Sequence, residues 1–74
     1  MDEQLRALEL MDMVERQIAV YATRIAEQRE IIEKRLLSGL DATRSKELLD
    51  LLIEVESLHV LHRDRLRAQV DRKK

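Results

Sequence analysis

His59 and His62 are the only histidines in the chain, and they stand three residues apart. On a helix that spacing puts both rings on one side, where two imidazoles can share a metal ion and a dimer could bring four together. Glu56-Ser57-Leu58-His59 also has the Glu-x-x-His pattern with which helical bundles hold pairs of iron ions. Such a site needs a further carboxylate facing it at the same depth. If the chain folds back near residue 40, the facing stretch holds Tyr21, Ala22 and Arg24, and no carboxylate. His59 and His62 are therefore weak metal candidates, and no cofactor is expected. The simpler expectation is a polar cluster in an apolar seam, with the Tyr21 hydroxyl near an imidazole, because buried polar groups find partners.

Other site chemistry fares worse. Ser38, Ser45 and Ser57 have no base or oxyanion donor in their sequence setting, and there is no cysteine. A phosphate-cradling loop needs several glycines, and the chain has only Gly39. Enzyme activity is not expected. A basic end, Arg63, Arg65, Arg67, Lys73 and Lys74, offers a nucleic-acid footprint as the alternative reading. Against it stand a net charge of −1, a single aromatic residue and an acidic start, Asp2, Glu3, Glu9 and Asp12, which a folded-back chain would lay beside those bases. Nucleic acid is accordingly a disfavoured partner.

The elements that must position these residues are helices. In 74 residues there is no proline, and long stretches on both sides of Gly39 keep helical apolar spacing. A first helix is predicted over about 2–37, with the stripe Leu8, Met11, Val14, Ile18, Tyr21, Ile25, Ile32 and Leu36, passing over Gln28. A turn over 38–41 follows, with Gly39 left-handed at the helix end and Asp41 capping the next helix. A second helix is predicted over about 42–72, with the stripe Leu48, Leu51, Leu52, Val55, Leu58, His59, His62, Leu66 and Val70. So short a connection makes the helices antiparallel neighbours, with facing residue numbers summing to about 80. That register expects Arg24 near Glu56, Arg29 near Asp50 or Glu54, and Lys34 near Glu47. Within the first helix, Asp2–Arg6, Asp12–Arg16 and Glu30–Lys34 have the spacing of supporting ion pairs.

Met13, Val20 and Ile31 on the first helix, and Leu49, Ile53 and Val60 on the second, fall opposite the predicted stripes. They are the candidates for a second interface. A chain this short seldom builds a sufficient core alone, and without cysteine it cannot staple itself by disulfides. The expected fold is thus all-α, a single coiled-coil-like antiparallel hairpin over 1–74 that dimerises into a four-helix bundle. The expected role is a protein–protein interaction module, a scaffold, adaptor or regulator, with itself or another protein as partner. The acidic, polar start carries no secretory pattern and no apolar run spans a bilayer, so the expected setting is cytoplasmic, away from membranes.

Several segments carry a resemblance. Ile25-Ala26-Glu27-Gln28-Arg29-Glu30-Ile31-Ile32, Gly39-Leu40-Asp41, Glu47-Leu48-Leu49, Leu58-His59 and Arg63-Asp64-Arg65-Leu66 resemble a group of small uncharacterised proteobacterial proteins. The resemblance covers about the last two-thirds of the chain and implies a helical hairpin. It departs at Ala42, where threonine is usual, and at His62, and it implies no activity.

Overall fold

A computed structural model describes residues 2–72. Two helices account for nearly all of them: α1, Asp2–Leu37, and α2, Thr43–Arg72. No strand occurs among the described residues. The helices lie side by side and antiparallel, in a molecule 57 × 14 × 14 Å. No helix among the described residues is long and apolar enough to cross a membrane.

The reversal is built by the chain itself. Gly39 sits at φ 72°. Its N–H donates to the Leu36 carbonyl at 3.1 Å, and the Leu40 N–H donates to the Arg35 carbonyl at 2.8 Å. These two bonds satisfy the carbonyls that a helix end leaves free, and they require a left-handed residue at position 39. On the far side, Asp41 Oδ1 accepts from the Thr43 N–H at 3.0 Å and the Thr43 hydroxyl at 2.6 Å. The Asp41 carbonyl accepts from Arg35 Nε at 2.9 Å, which ties the last turn of α1 to the start of α2.

The seam follows a strict alternation of three and four residues. On α1 it runs through Gln4, Ala7, Met11, Val14, Ile18, Tyr21, Ile25, Gln28 and Ile32. Opposite it, the seam starts at Ala42, just before α2, and runs on through Ser45, Leu49, Leu52, Glu56, His59, Arg63, Leu66 and Val70. All are buried or half-buried, and among the described residues the only others so shielded are Ile53, Val55 and Val60, which flank the seam. A 3.5-residue repeat of this kind is the seam of a coiled coil.

Two expectations about the stripes need correcting. On α1, Leu8 and Leu36 face solvent, and Gln28, which the apolar pattern skipped, is buried. On α2 the seam keeps only part of the predicted stripe: Leu52, His59, Leu66 and Val70 lie in it, but Leu48, Leu51, Leu58 and His62 are exposed, while Leu49, Ile53 and Val60, expected outside, are half-buried. The reason lies in the composition of α2. Between residues 48 and 61 apolar side chains surround it, so hydrophobicity alone does not choose a side. The deeply buried ends, Ala42, Leu66 and Val70, fix the rotation, and the repeat carries it through the middle.

The antiparallel register near a sum of 80 does appear in the side chains. Tyr21 and His59 meet with ring centroids 5.4 Å apart, and Arg67 pairs with Glu15 at 3.6 Å. The smaller sum of the Gln28–Ser45 bond reflects a side chain reaching a backbone carbonyl rather than another side chain. Side chains on helices lean toward the N-terminus, so contacting side chains on antiparallel helices have larger numbers than the backbone levels they bridge. The expected Arg24–Glu56, Arg29–Asp50 or Glu54, and Lys34–Glu47 pairs do not close. Lys34 pairs instead with Glu30 at 3.6 Å within its own helix. Asp12–Arg16 closes as expected.

Candidate interaction surface

The histidines separate. His59 enters the seam, half-buried, its ring tilted 40° against Tyr21. His62 points to solvent. Among the described residues, no three His, Asp or Glu side chains gather where an ion could be held. The Ser57 hydroxyl donates to the Ile53 carbonyl of its own helix at 2.9 Å. The largest hollows among the described residues are open surface grooves.

The basic residues of the C-terminal end also scatter. Arg63 is half-buried in the seam and bonds Asp64 at 3.2 Å; Arg67 lies on one flank with Glu15. Arg65 lies on the opposite flank, beside Glu3, Gln69 and Arg72. Lys73 and Lys74 lie outside the described residues. Of the acidic start, Glu3 lies beside Arg65 and Arg72 of the basic end, while Asp12 pairs with Arg16 of its own helix.

The flank that carries Arg65 is the distinctive surface. Near its middle, Arg24, Glu27 and Ile31 of α1 and Leu48 of α2 wall a groove floored by Gln28 and Leu52. Toward the open end, Leu10 of α1 and Gln69 of α2 wall its continuation over Ala7 and Leu66. Residues seven apart share a side of a coiled-coil helix. By that rule Met13 and Val20 fall on the flank of Arg6 and Glu27, and Leu51 and Leu58 on the flank of Arg65. One side of the hairpin therefore presents Leu10, Met13, Val20 and Ile31 from α1 beside Leu48, Leu51, Val55 and Leu58 from α2. Leu48, Leu51 and Leu58 are 46%, 57% and 61% exposed.

Met13, Val20 and Ile31 thus stand where the sequence placed a second interface. Their companions on α2 are Leu48, Leu51 and Leu58, and not Leu49, Ile53 and Val60. With Val55 these leucines form a second stripe, offset from the seam and spaced three, four and three. No family model, curated protein or solved structure matches the chain. The resemblance to small proteobacterial hairpin proteins accordingly adds nothing beyond the helices themselves.

Proposed function

We propose that this chain is a non-enzymatic protein–protein interaction module, a small scaffold, adaptor or regulator, whose working surface is the apolar flank just described, and that it self-associates through that flank into a four-helix bundle. One observation carries this reading. In α2, Leu48, Leu51 and Leu58 face outward while Glu56, His59 and Arg63 occupy half-buried seam positions. A helix that spends polar residues on its inner face and leucines on its outer face is suited to contact on both sides. Exposed apolar residues gathered on one side and rimmed by charge mark interaction sites, whereas scattered ones are ordinary.

The shape supports the same reading. The radius of gyration is 16.9 Å, against about 11 Å for a compact domain of this length. Among the described residues no side chain is fully enclosed, so the hairpin has a seam and little interior. Burying the remaining half of an exposed leucine is worth about 1 kcal/mol, and a twofold contact counts each leucine twice.

Light scattering on the purified chain tests the proposal. The expected mass is a multiple of 8.8 kDa. Leu51→Asp should shift the mass to that of one chain while leaving the helical circular dichroism in place at high concentration. A wild-type monomer at about 100 μM, well above the Kd of an interface of standard size, would remove self-association from the reading.

A further inference from the structure

The outer stripe of α2 is self-complementary when reversed, and we propose that the occupant of the apolar flank is a second copy of this chain lying antiparallel, α2 on α2, with the twofold axis crossing the stripe level with Ile53. This inference rests on the reading of that flank as the working surface, and it adds the identity and direction of what covers it.

A twofold interface pairs residue i with j and j with i, so the surface must match its own reverse. Leu48 and Leu58 lie five residues either side of Ile53, and Leu51 and Val55 lie two either side. Reversal therefore sets Leu48 on Leu58 of the second copy and Leu51 on Val55, apolar on apolar throughout. The next positions outward on the same flank are Arg44 and His62, nine residues from Ile53, where an imidazole nitrogen offers a guanidinium an acceptor. Beyond them come Asp41 and Arg65, twelve residues from Ile53 and opposite in charge. The pattern is apolar at its centre and charge-matched at its ends, as protein interfaces commonly are.

The same axis stacks α1 on α1 of the second copy, also antiparallel. Counting away from the Gln28–Ser45 hydrogen bond, Tyr21 falls level with Leu52 and Val20 with Ile53, so the axis crosses α1 near Val20. Leu10 and Ile31 lie ten and eleven residues either side of Val20 and come opposite each other. The other way to close a bundle of antiparallel neighbours sets α2 on α1 of the second copy at unchanged level. It would press Leu48 against Glu27 and Arg24, the charged residues that share its groove. Desolvating those charges against leucine is unfavourable. The flank is also large enough: a face 57 × 14 Å is about 800 Å² in projection, the area per partner of a standard stable interface.

The absence of cysteine makes the arrangement directly testable by disulfide trapping. Leu48→Cys and Leu58→Cys chains are purified separately, mixed under mild oxidation and compared with each variant alone. The mixture should give a disulfide-linked dimer in several-fold excess over either variant by itself. Equal trapping of Leu48→Cys alone would mean α2 on α2 in parallel and would overturn the proposal. A mixture no better than the single variants, in a wild-type protein that light scattering shows to be dimeric, would overturn the antiparallel pairing and leave the interaction reading intact. A monomeric wild type would overturn both. If either cysteine weakens the dimer, Arg44→Cys mixed with His62→Cys reads the same register outside the leucines, with the same outcomes decisive.

Discussion

Among the described residues Gln28 is the only buried polar one, at 8% exposure, and its Nε2 donates to the Ser45 carbonyl at 3.0 Å across the seam. A single polar residue at a coiled-coil core position fixes register at some expense of stability. Gln28→Ala removes both the bond and the packing and should cost about 1–3 kcal/mol in a denaturant titration. Gln28→Leu restores volume and leaves the Ser45 carbonyl no worse placed than any other in α2, so it should be neutral or stabilising by about 1 kcal/mol. If Leu destabilises as much as Ala, the hydrogen bond outweighs the packing. Asp41 makes a different kind of contribution. The hydrogen bond from the Thr43 hydroxyl, and then that from the Thr43 N–H, holds its carboxyl below its ordinary value of 3.8. A depressed carboxyl stabilises the fold above its unfolded value and loses that contribution as pH falls through the folded one. Asp41→Asn keeps an acceptor oxygen and does not titrate. Melts from pH 6 down to about 2 should therefore show the wild type falling toward the variant below pH 4. Parallel curves would mean that the charge at Asp41 contributes nothing.

At the scale of the elements, the turn is the decisive piece. A Cβ built on Gly39 would meet no atom within 4 Å, so a substitution there is strained only through its φ of 72°. Gly39→Ala should cost about 1–2 kcal/mol, the penalty of a left-handed L-residue, and Gly39→Asn clearly less. Equal losses for both, measured by denaturant unfolding, would show that something other than φ is at stake. This turn was fully legible in the sequence, because only one residue in the chain tolerates it and the capping aspartate follows at the right distance. The seam of α1 was nearly as legible; what hid Gln28 was the assumption that the seam is apolar throughout. The rotation of α2 was not legible. Its leucines form two stripes, and the one richer in leucine lies outside. Polar seam residues such as Glu56 and Arg63 give no sign in the sequence of being enclosed; they reach the seam because Ala42 and Leu66 bury the ends of the helix on that side. The exposed apolar residues of α1, Met13, Val20 and Ile31, were therefore legible in the sequence, and those of α2 were not.

For the whole molecule, the question is whether one hairpin has enough interior to stand alone. It is two helices thick and its seam narrows to half-buried polar residues over the middle of α2, where a single chain gains least from burial. Chains of this size commonly owe their stability to a partner or a staple. Stability that comes from association depends on concentration, because anything that binds the folded form and spares the unfolded one raises the midpoint by mass action. The thermal midpoint should therefore rise by several degrees between about 5 and 500 μM chain, since a hundredfold change in ligand adds about 2.7 kcal/mol in the tight-binding limit. Leu51→Asp and Leu58→Asp should melt lower than wild type and show a flatter dependence, because each places a charge on the surface to be buried. The Leu61→Asp variant is the matched control: Leu61 is 48% exposed but lies off the proposed contact, three residues from Leu58 around the helix. It should keep the wild-type concentration dependence. A midpoint independent of concentration in the wild type would show that the seam alone sustains the hairpin. Loss of the dependence in Leu61→Asp as well would show that the contact wraps further around α2 than a face-to-face bundle allows.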